Sequence, residues 1–410
     1  MKKSLLTAVL AAASWQLAVA QTITMLPTST DPYLMSTCIS ENGKYVGGAD
    51  AFGTPFVADW ATGTVVLGDG DDEDSGGHIR AVSNGGVGVG VCGPGITLSI
   101  DGTVERYGDS DDAILSGITP DGSLIVGERS ASSMPVPCYW QGGECVDLPQ
   151  VTDEWATIKC LGTAAKYVSG DGSVIAGHFV DKLNTRPLVV WHRNRDGKTY
   201  SIDPVFKRFC FKRAGYMAIM SPSAMSNNGK WIAVTASSDG NVWLGRYNVE
   251  LDSLEIISYP GLGEGDICES SGISDDGTVL GVVTSEMEGR VGLICPAGKS
   301  EAVKIADYFP DLDDLALFDA NGANVPFAIT PDGRYITGYG VSLKGDSQLY
   351  VTYVIDTEGT GTGVGNIASA SDEAPAEAYT VDGLRRDAKS FHGLGIMKWA
   401  DGKTAKVVKR

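Results

Sequence analysis

Apolar and polar residues alternate in short runs along this chain, and a tight turn interrupts each run. Near the end of the last such segment, Tyr335, Thr337 and Tyr339 alternate with smaller or aliphatic residues. A period of two is typical of a β-strand, and Asn-Gly or Asp-Gly supplies the positive φ that a tight hairpin turn requires. Each segment therefore predicts a β-hairpin.

This hairpin pattern occurs seven times, and we number the segments repeat 1 to repeat 7. They start at Cys38, Ala81, Gly117, Tyr167, Ala224, Gly272 and Ala328. The predicted turn glycines are Gly43, Gly85, Gly122, Gly172, Gly229, Gly277 and Gly333, with a mean spacing of about 48 residues. A second hairpin follows most repeats, as in PFVADWATGTVVL from Pro55. Four strands per repeat is the number in a propeller blade.

The order of strands also predicts how the two ends of the array meet. Residues 22–26, TITML, precede repeat 1 as a fourth strand precedes each later repeat, whereas repeat 7 shows no clear fourth strand. The N-terminal strand can therefore complete the last sheet and cover its edge. Residues 364–368 are the competing candidate. The prediction is an all-β fold: a seven-bladed β-propeller at residues 21–356, closed by an N-terminal strand, plus a short C-terminal β tail.

The two ends of the chain carry processing and sorting features. Lys2 and Lys3, a short apolar run and the small residues 18–20 predict a signal peptide at residues 1–20. A Gly-, Thr- and Ser-rich linker is expected at residues 357–377, before a tail at residues 378–410. The chain is thus expected to be exported, to the cell surface, the medium or the periplasm. No stretch approaches the length of a transmembrane helix.

Several motifs resemble known families. AITPDGRYITGYG and AMSNNGKWIAVTASSDGNVWLGRYN resemble the repeats of TolB-type propellers, and GITPDGSLIVG followed by YW is similar to extracellular HAF-type repeats. The resemblance spans roughly residues 38–356 and implies a propeller. Because both families are functionally mixed, it implies no catalytic residues. The tail from Ala378 resembles the C-terminal sorting signals of type IX secretion in the Bacteroidota.

Charge and cysteine content narrow the functional classes. The chain has 32 basic and 51 acidic residues, a net charge of −19, which argues against nucleic-acid binding. Export permits disulfides among the eight cysteines. Cys138 and Cys145 face each other across one predicted hairpin. They form either a disulfide or a pair of small buried side chains.

Acidic residues concentrate in the loops that connect the repeats. If these loops share one rim, that rim attracts cations and basic partners, and its oxygen atoms suit Ca²⁺. A solvated acidic rim without a ligand is the alternative. One connection, residues 207–213, is basic instead, and serves either as a salt-bridging plug or as a partner site. The candidate ligand or cation residues are Asp69, Asp71, Asp72, Asp74, Asp109, Asp111, Asp112, Asp266, Asp311, Asp313 and Asp314.

No catalytic set emerges from the sequence. The four histidines form no ligand pair and are expected at surface or blade-edge positions, and no Gly-x-Ser-x-Gly motif is present. Trp60, Trp140, Trp191 and Tyr247 recur at the end of third strands, where they pack between blades or stack on a ligand. Apart from the calcium expectation, no cofactor is predicted.

We therefore expect a monomeric, exported binding or scaffold protein without catalytic activity, whose partner is a glycan or a protein. Two alternatives remain open at this level. One is a carbohydrate-active enzyme that uses carboxylates of the rim loops as acid and base. The other is a periplasmic component of an envelope complex, as the TolB resemblance implies.

Overall fold

The chain divides into two compact units, a large one at Ala20–Glu358 and a small one that includes Gly359–Arg410. The computed structural model describes residues 21–26, 34–68, 76–108, 113–131, 134–151, 160–181, 186–209, 212–213, 216–217, 219–238, 241–263, 265–285, 289–309, 324–344, 347–358, 377–380, 385–386, 393–398 and 404–409. The predicted signal peptide, most of the linker and several loops lie outside these ranges.

The large unit is built of small antiparallel sheets, which confirms the predicted all-β class. Its first strand is β1 (Thr22–Met25). Repeat 1 forms β2 (Met35–Ile39), β3 (Tyr45–Ala49), β4 (Pro55–Asp59) and β5 (Thr64–Leu67). Repeat 2 forms β6 (His78–Val82), β7 (Val87–Val91), β8 (Gly95–Ser99) and β9 (Val104–Tyr107). Repeat 3 forms β10 (Ala113–Ile118), β11 (Leu124–Ala131), β12 (Met134–Gln141) and β13 (Glu144–Asp147).

The later repeats follow the same order. Repeat 4 forms β14 (Cys160–Val168), β15 (Val174–Asp181), β16 (Leu188–Arg193) and β17 (Tyr200–Asp203). After α1 (Phe206–Phe209), β18 (Lys212–Arg213) and β19 (Tyr216–Met217), repeat 5 forms β20 (Ile219–Met225), β21 (Trp231–Ser238), β22 (Asn241–Asn248) and β23 (Ser253–Ile257). Repeat 6 forms β24 (Ile267–Ile273), β25 (Val279–Ser285), β26 (Gly289–Cys295) and β27 (Val303–Lys304), followed by α2 (Ile305–Tyr308). Repeat 7 forms β28 (Asn324–Ile329), β29 (Tyr335–Lys344) and β30 (Ser347–Asp356).

Strand β1 is the fourth strand of the repeat 7 sheet. It pairs antiparallel with β30, from Thr22 opposite Asp356 to Met25 opposite Tyr353. The sheet order is β1-β30-β29-β28. A strand from the N-terminus thus pairs with the last strand of repeat 7, as the order of strands in the sequence predicts. The competing segment, residues 364–368, lies outside the described residues.

The hairpin turns of six repeats share one hydrogen-bond pattern, which repeat 2 lacks because Gly85 stands in place of the Asn or Asp. In repeat 4 the Ser169 hydroxyl donates to the Asp171 carboxylate (2.8 Å), which also accepts from the Ser173 N–H (2.8 Å). The following glycine, Gly172, has φ +67°. Gly43, Gly122, Gly229, Gly277 and Gly333 also have positive φ, but in repeat 2 the residue with positive φ is Gly86 and not Gly85. Gly86, like Gly43, is the third residue after the turn serine.

First strands of consecutive repeats contact one another, and so do the turns at their ends. The contacts run in chain order from β2 to β28, and β28 also contacts β2. Hydrogen bonds between turns run from Asn42 to Asn84, from Asn84 to Pro120, from Gly170 to Asn227, from Asn228 to Asp275 and from Asp275 to Pro331. Glu41 of repeat 1 also accepts from the side chains of Asn84 (3.1 Å) and Asn227 (2.9 Å). One carboxylate therefore links the turns of repeats 1, 2 and 5.

Aromatic and aliphatic side chains fill the spaces between neighbouring sheets. Trp191 and Tyr247 are buried in separate apolar clusters, and Trp140 is 8% exposed in a third. Trp60 is partly buried, donates from its indole N–H to the Gly43 carbonyl, and packs against Tyr335 of repeat 7. These contacts favour packing between sheets over ligand stacking.

The small unit contains a four-stranded sheet. Its strands are β31 (Glu377–Thr380), β32 (Arg385–Arg386), β33 (Gly393–Lys398) and β34 (Thr404–Lys409), in the order β32-β31-β33-β34. Strand β31 begins one residue before the predicted start of the tail. Among the described residues, no helix has both the length and the apolar character needed to cross a membrane.

Candidate functional site

The acidic loop residues predicted as a ligand or cation rim fall almost entirely outside the described ranges. Asp69, Asp71, Asp72, Asp74, Asp109, Asp111, Asp112, Asp311, Asp313 and Asp314 are in this group. The exception, Asp266, accepts a hydrogen bond from the N–H of Gly263 (2.8 Å) and thereby holds its own loop. Within the described ranges, no group of three or more His, Cys, Asp or Glu side chains is placed to hold a metal ion. The calcium site stays a prediction.

A different set of equivalent positions appears on the first strands. In every repeat the register between the first and second strands shifts at the third residue before the turn Ser or Thr, so that this residue has no cross-strand partner, as in a β-bulge. We call these seven the bulge residues. They are Thr37, Arg80, Ser116, Lys166, Ser223, Ser271 and Phe327. Repeat 4 has a second shift, between Cys160 and Gly162.

A glycine on the second strand accompanies most of the bulges. In repeat 4 a Cβ added to Gly177 would overlap the carbonyl oxygen of Ala164. Gly48, Gly90, Gly127 and Gly338 meet a carbonyl in the same way, and Gly281 approaches that of Glu269 at 2.8 Å. Repeat 5 has Val234 at this position. The bulge brings the first strand close to the second, which only glycine accommodates without displacing backbone.

The bulge residues lie where consecutive first strands meet. The Thr37 hydroxyl donates to the carbonyl of Ile79 in repeat 2 (2.9 Å), and the Ser271 hydroxyl donates to that of Pro326 in repeat 7. Arg80 donates from Nη1 to the hydroxyl of Ser116, the next bulge residue (3.2 Å). Hydroxyl side chains at this position therefore stabilise contacts between sheets, whereas arginine and lysine add charge.

Arg80 and Lys166 belong to a partly buried cluster on repeats 2, 3 and 4. Arg80 donates from Nε to Nε2 of His78 (2.9 Å), two residues earlier on β6. Lys166 on β14 forms an ion pair with Glu128 on β11 (Nζ–Oε1 3.1 Å), with 19% and 13% of these side chains exposed. We define the cationic cluster as Arg80, Lys166 and Arg186 with their neighbours His78, Ser116, Glu128, Tyr167 and His178.

The cationic cluster holds more positive than negative charge. It has three cations, Arg80, Lys166 and Arg186, and one carboxylate, Glu128. Over the described ranges, no carboxylate forms an ion pair with Arg80. Burial lowers the pKa of Arg80 and of Lys166, and the charge of Glu128 opposes this shift for both. Repulsion from Arg186 lowers both pKa values further, and repulsion from Arg80 also lowers that of Lys166. This cluster has the opposite sign to the chain as a whole.

Both histidines of the cluster are neutral near pH 7. Burial, followed by the charges of Arg80 and Lys166, lowers the pKa of His78 to about 4. Burial and the charges of Lys166 and Arg186 lower the pKa of His178 to about 3. The hydrogen bond from Arg80 agrees with this state, because Nε2 of His78 accepts only when it carries no proton.

The prediction that the histidines lie at surface or blade-edge positions is wrong for His178, which is buried on an inner strand, whereas His78 lies on an edge strand of its sheet. His178 is only 7% exposed, on β15, and His78 is partly buried on β6. The sequence analysis did not identify His78 and His178 as members of a site, because their spacing is not that of a metal-binding histidine pair. An alignment of the repeats on the turn serine would have placed Arg80 and Lys166 at one equivalent position, with His78 two residues before Arg80.

A second polar and aromatic group lies on repeats 6 and 7. The bulge residue Phe327 stacks on Tyr339, with ring centroids 5.6 Å apart and an interplanar angle of 26°. Arg290 donates to the Tyr339 hydroxyl (3.2 Å) and is exposed. Both rings are partly buried. The bulge position of repeat 7 therefore presents an aromatic ring where repeats 2 and 4 present cations.

In the basic connection at residues 207–213, one side chain is held by carboxylates. Arg208 forms ion pairs with Asp203 (2.8 Å) and Asp252 (2.8 Å) and also donates to the Tyr247 hydroxyl. Arg208 therefore joins the end of repeat 4 to repeat 5. This favours the salt-bridging reading for Arg208.

Comparison with known proteins yields structural similarity alone. No protein-family model matches the chain, and no curated protein matches it. An oligogalacturonate lyase from Vibrio parahaemolyticus is 15% identical, with a TM-score of 0.48 over 82% of this chain and 93% of that chain. TolB from Acinetobacter baumannii is 14% identical, with a TM-score of 0.33 over 66% of this chain and 56% of that chain.

Prolyl oligopeptidase B from Galerina marginata is 10% identical, with a TM-score of 0.41 over 89% of this chain and 46% of that chain. TolB is thus among the structures similar to this chain, in agreement with the repeat motifs. At these identities and TM-scores, no activity carries over from any of these proteins.

Proposed function

We propose that this chain is an exported binding propeller of seven blades, closed by its N-terminal strand, which recognises a glycan or protein partner and has no catalytic activity. The observation that carries the proposal is the unbroken series of contacts between first strands, from β2 to β28 and back to β2. Such a series is expected when the first strands surround a central axis. Residues at equivalent positions then line one common surface.

Three hydrogen bonds and one apolar cluster support closure of the array. The Ser36 N–H of repeat 1 donates to the Thr352 hydroxyl of repeat 7 (2.9 Å), and the Thr352 hydroxyl donates back to the Leu34 carbonyl (2.8 Å). The Ser36 and Thr337 hydroxyls are hydrogen bonded to each other (2.8 Å). The side chain of Leu26 lies in a cluster with Phe56 of repeat 1 and Val354 of repeat 7. In this proposal a single strand, β1, joins the first and last blades.

Recognition is favoured by the variety of side chains at one repeated position. The backbone is the same at all seven bulges, but the side chains are hydroxyl, cationic or aromatic. A rigid scaffold that varies side chains at fixed positions suits ligand recognition. In this proposal the ligand contacts the surface formed by the bulge residues.

Export and display form the second part of the proposal. Residues 1–20 direct export, and the tail at residues 378–410 directs sorting or anchoring. Fractionation of cells that express the full chain tests this part. Recovery at the cell surface or in the medium supports it, and loss of surface display after deletion of residues 378–410 assigns the role to the tail. Retention in the periplasm with an intact tail favours an envelope-complex component instead.

The binding function is tested by thermal unfolding of the purified chain with polysaccharides, with Ca²⁺ and with a chelator. A ligand at 100 times its dissociation constant stabilises the folded state by about 2.7 kcal/mol, which is readily measured. We expect one glycan, or a protein partner found by affinity capture and then purified, to raise the unfolding temperature while remaining chemically intact. Accumulation of cleaved glycan would show an enzyme instead. A response to Ca²⁺ alone would make the acidic loops the primary site.

A further inference from the structure

We propose that the cationic cluster is a binding site for an oxyanionic group, a carboxylate, sulfate or phosphate, on a ligand that enters between the first strands of repeats 2, 3 and 4. This inference rests on the proposed binding function and names the chemistry of its ligand. The hydrogen-bond donors proposed to contact the oxyanion are the guanidinium of Arg80, the ammonium of Lys166 and the hydroxyl of Ser116.

The first argument is charge imbalance in a partly buried place. A buried cation is costly unless a counter-charge and hydrogen bonds compensate for lost hydration. Glu128 forms an ion pair with Lys166 at 3.1 Å and also acts on Arg80 through its charge, so one carboxylate serves two cations. Arg80 donates to two neutral acceptors, His78 and Ser116. An incoming oxyanion would supply the missing negative charge.

The second argument is the geometry of the donors. Hydrogen bonds to His78 and Ser116 fix the guanidinium of Arg80 at Nε and Nη1. Guanidinium N–H groups match carboxylate, sulfate and phosphate oxygens, and a fixed fork loses little side-chain entropy when it binds. Lys166 occupies the equivalent position two repeats later and adds a point charge.

The third argument is that nothing in the fold requires a cation at these positions. Repeats 1, 3, 5 and 6 form the same bulge with Thr37, Ser116, Ser223 and Ser271. The bulge backbone and its opposing glycine are therefore independent of charge. The bulge itself therefore does not require arginine or lysine in repeats 2 and 4, and anion recognition accounts for the charge of both.

The inference is tested by isothermal titration calorimetry of the full chain at constant ionic strength. The probes are glucuronate, glucose 6-sulfate, glucose 6-phosphate, inorganic sulfate and inorganic phosphate, with glucose as the neutral control. We expect at least one anionic probe to bind and glucose not to bind. Binding of the sugar esters but not of the inorganic ions would assign the anion to a glycan. Binding of the inorganic ions alone would assign the site to a free anion.

Variants of the cluster give effects of opposite sign. Arg80→Met and Lys166→Met should each weaken binding of the anionic probe by about tenfold or more, because each removes a charged donor. Glu128→Gln should increase the affinity for the anionic probe several-fold, because the substitution removes the carboxylate that competes with the probe for Lys166. Arg129→Met is the matched control. It removes a cation one residue from Glu128, but Arg129 pairs with Asp147 and leaves the cluster intact.

Each result has a distinct meaning. Equal weakening in Arg129→Met, or no gain in Glu128→Gln, would overturn the inference, as would failure of every anionic probe to bind. The Glu128→Gln variant keeps the test decisive even if Arg80→Met fails to fold. If a neutral polysaccharide binds equally well to Arg80→Met and to the unaltered chain, the proposed function stands and this inference fails. Conversion of a bound sugar to product would keep the site and overturn the non-catalytic function.

Discussion

Single glycines determine how closely the first two strands of each sheet approach. Gly127 and Gly177 lie opposite the bulges of repeats 3 and 4, and a Cβ at either position would overlap a carbonyl oxygen of the first strand. Neither residue has a positive φ, so glycine is required here by the close contact with the first strand and not by the backbone conformation. A glycine in a strand interior weakens the strand unless such a close approach needs it.

Replacement of Gly177 by alanine should therefore destabilise the large unit. Relief of the overlap would displace β14, and overpacking of this kind costs about 1–3 kcal/mol. Gly85→Ala is the control, since its added Cβ would have one neighbour at 3.8 Å and its φ is not positive. Urea unfolding measures both variants. Equal stability of the two would contradict the role assigned to Gly177.

The two histidines of the cationic cluster make stability depend on pH. The folded chain keeps His78 and His178 neutral, because their pKa values fall to about 4 and about 3. In the unfolded chain an ordinary histidine takes up a proton near pH 6.5. The free energy of unfolding should therefore decrease as the pH falls from 6.5 to about 4, by on the order of 1 kcal/mol per histidine.

Chemical unfolding at pH 7.5, 6 and 5 checks this dependence. The double variant His78→Gln/His178→Gln should lose less stability between pH 7.5 and 5 than the unaltered chain. A glutamine at position 78 still offers an acceptor to Arg80, so the loss of titration is separated from the loss of a hydrogen bond. An equal loss of unfolding free energy between pH 7.5 and 5 in the two proteins would show that these imidazoles do not determine the pH dependence of stability.

At the scale of the element, the hairpin is what sequence predicts best. Alternation and the Ser/Thr-x-Asn/Asp-Gly turn are local signals, so they place the strands of every repeat within a few residues. The error at Gly85 arose because two glycines are adjacent there, and only the distance from Ser83 distinguishes them. The bulges escaped notice because residues such as Thr37, Arg80 and Phe327 share no chemistry. Their readable signal is the glycine on the opposite strand.

The hairpin of β12 and β13 brings Cys138 and Cys145 together. In the strand register Cys145 lies opposite Trp140, two residues from Cys138 and on the same face. Burial raises the pKa of the Cys138 thiol, and the neighbouring Cys145 raises it further. We expect these thiols to form a disulfide when the protein is exported to an oxidising compartment.

Mass spectrometry of alkylated, digested protein from culture medium tests this expectation. The peptides that contain Cys138 and Cys145 should be cross-linked before reduction, and alkylated at both cysteines after reduction. Cys268 is buried and serves as the internal comparison; it should remain a thiol. Free alkylation of Cys145 without reduction would contradict the disulfide. The alternative of two buried side chains is wrong for Cys145, which is exposed, whereas Cys138 is buried.

At the scale of the whole large unit, the pairing of β1 with the repeat 7 sheet depends on a few side chains of the N-terminal strand. Leu26 is 2% exposed, and its N–H donates to the Thr352 carbonyl of repeat 7. It packs with Phe56 of repeat 1 and Val354 of repeat 7. Sequence order predicted this strand, but not the contacts, because those depend on how the first and last sheets face each other.

Leu26→Ala should lower the free energy of unfolding of the large unit by about 2–5 kcal/mol, as for other buried leucines. Met25→Ala is the control, because Met25 is 39% exposed and pairs with Tyr353 through its backbone. Thermal unfolding and limited proteolysis report on both variants. Early cleavage near residue 26 in Leu26→Ala but not in Met25→Ala would show that the substitution weakens the attachment of β1 to the repeat 7 sheet.

The bulges allow different side-chain chemistry at one repeated position of the fold. Because the bulge residue has no partner across the sheet, its side chain is released from the register that constrains its neighbours. Hydroxyl, cationic and aromatic residues already occupy this position on one backbone. The seven bulge positions thus form an array of equivalent sites, some of which bond to the next first strand, as Arg80 does to Ser116. A substitution at this position can therefore change the local chemistry while the strands around it keep their register.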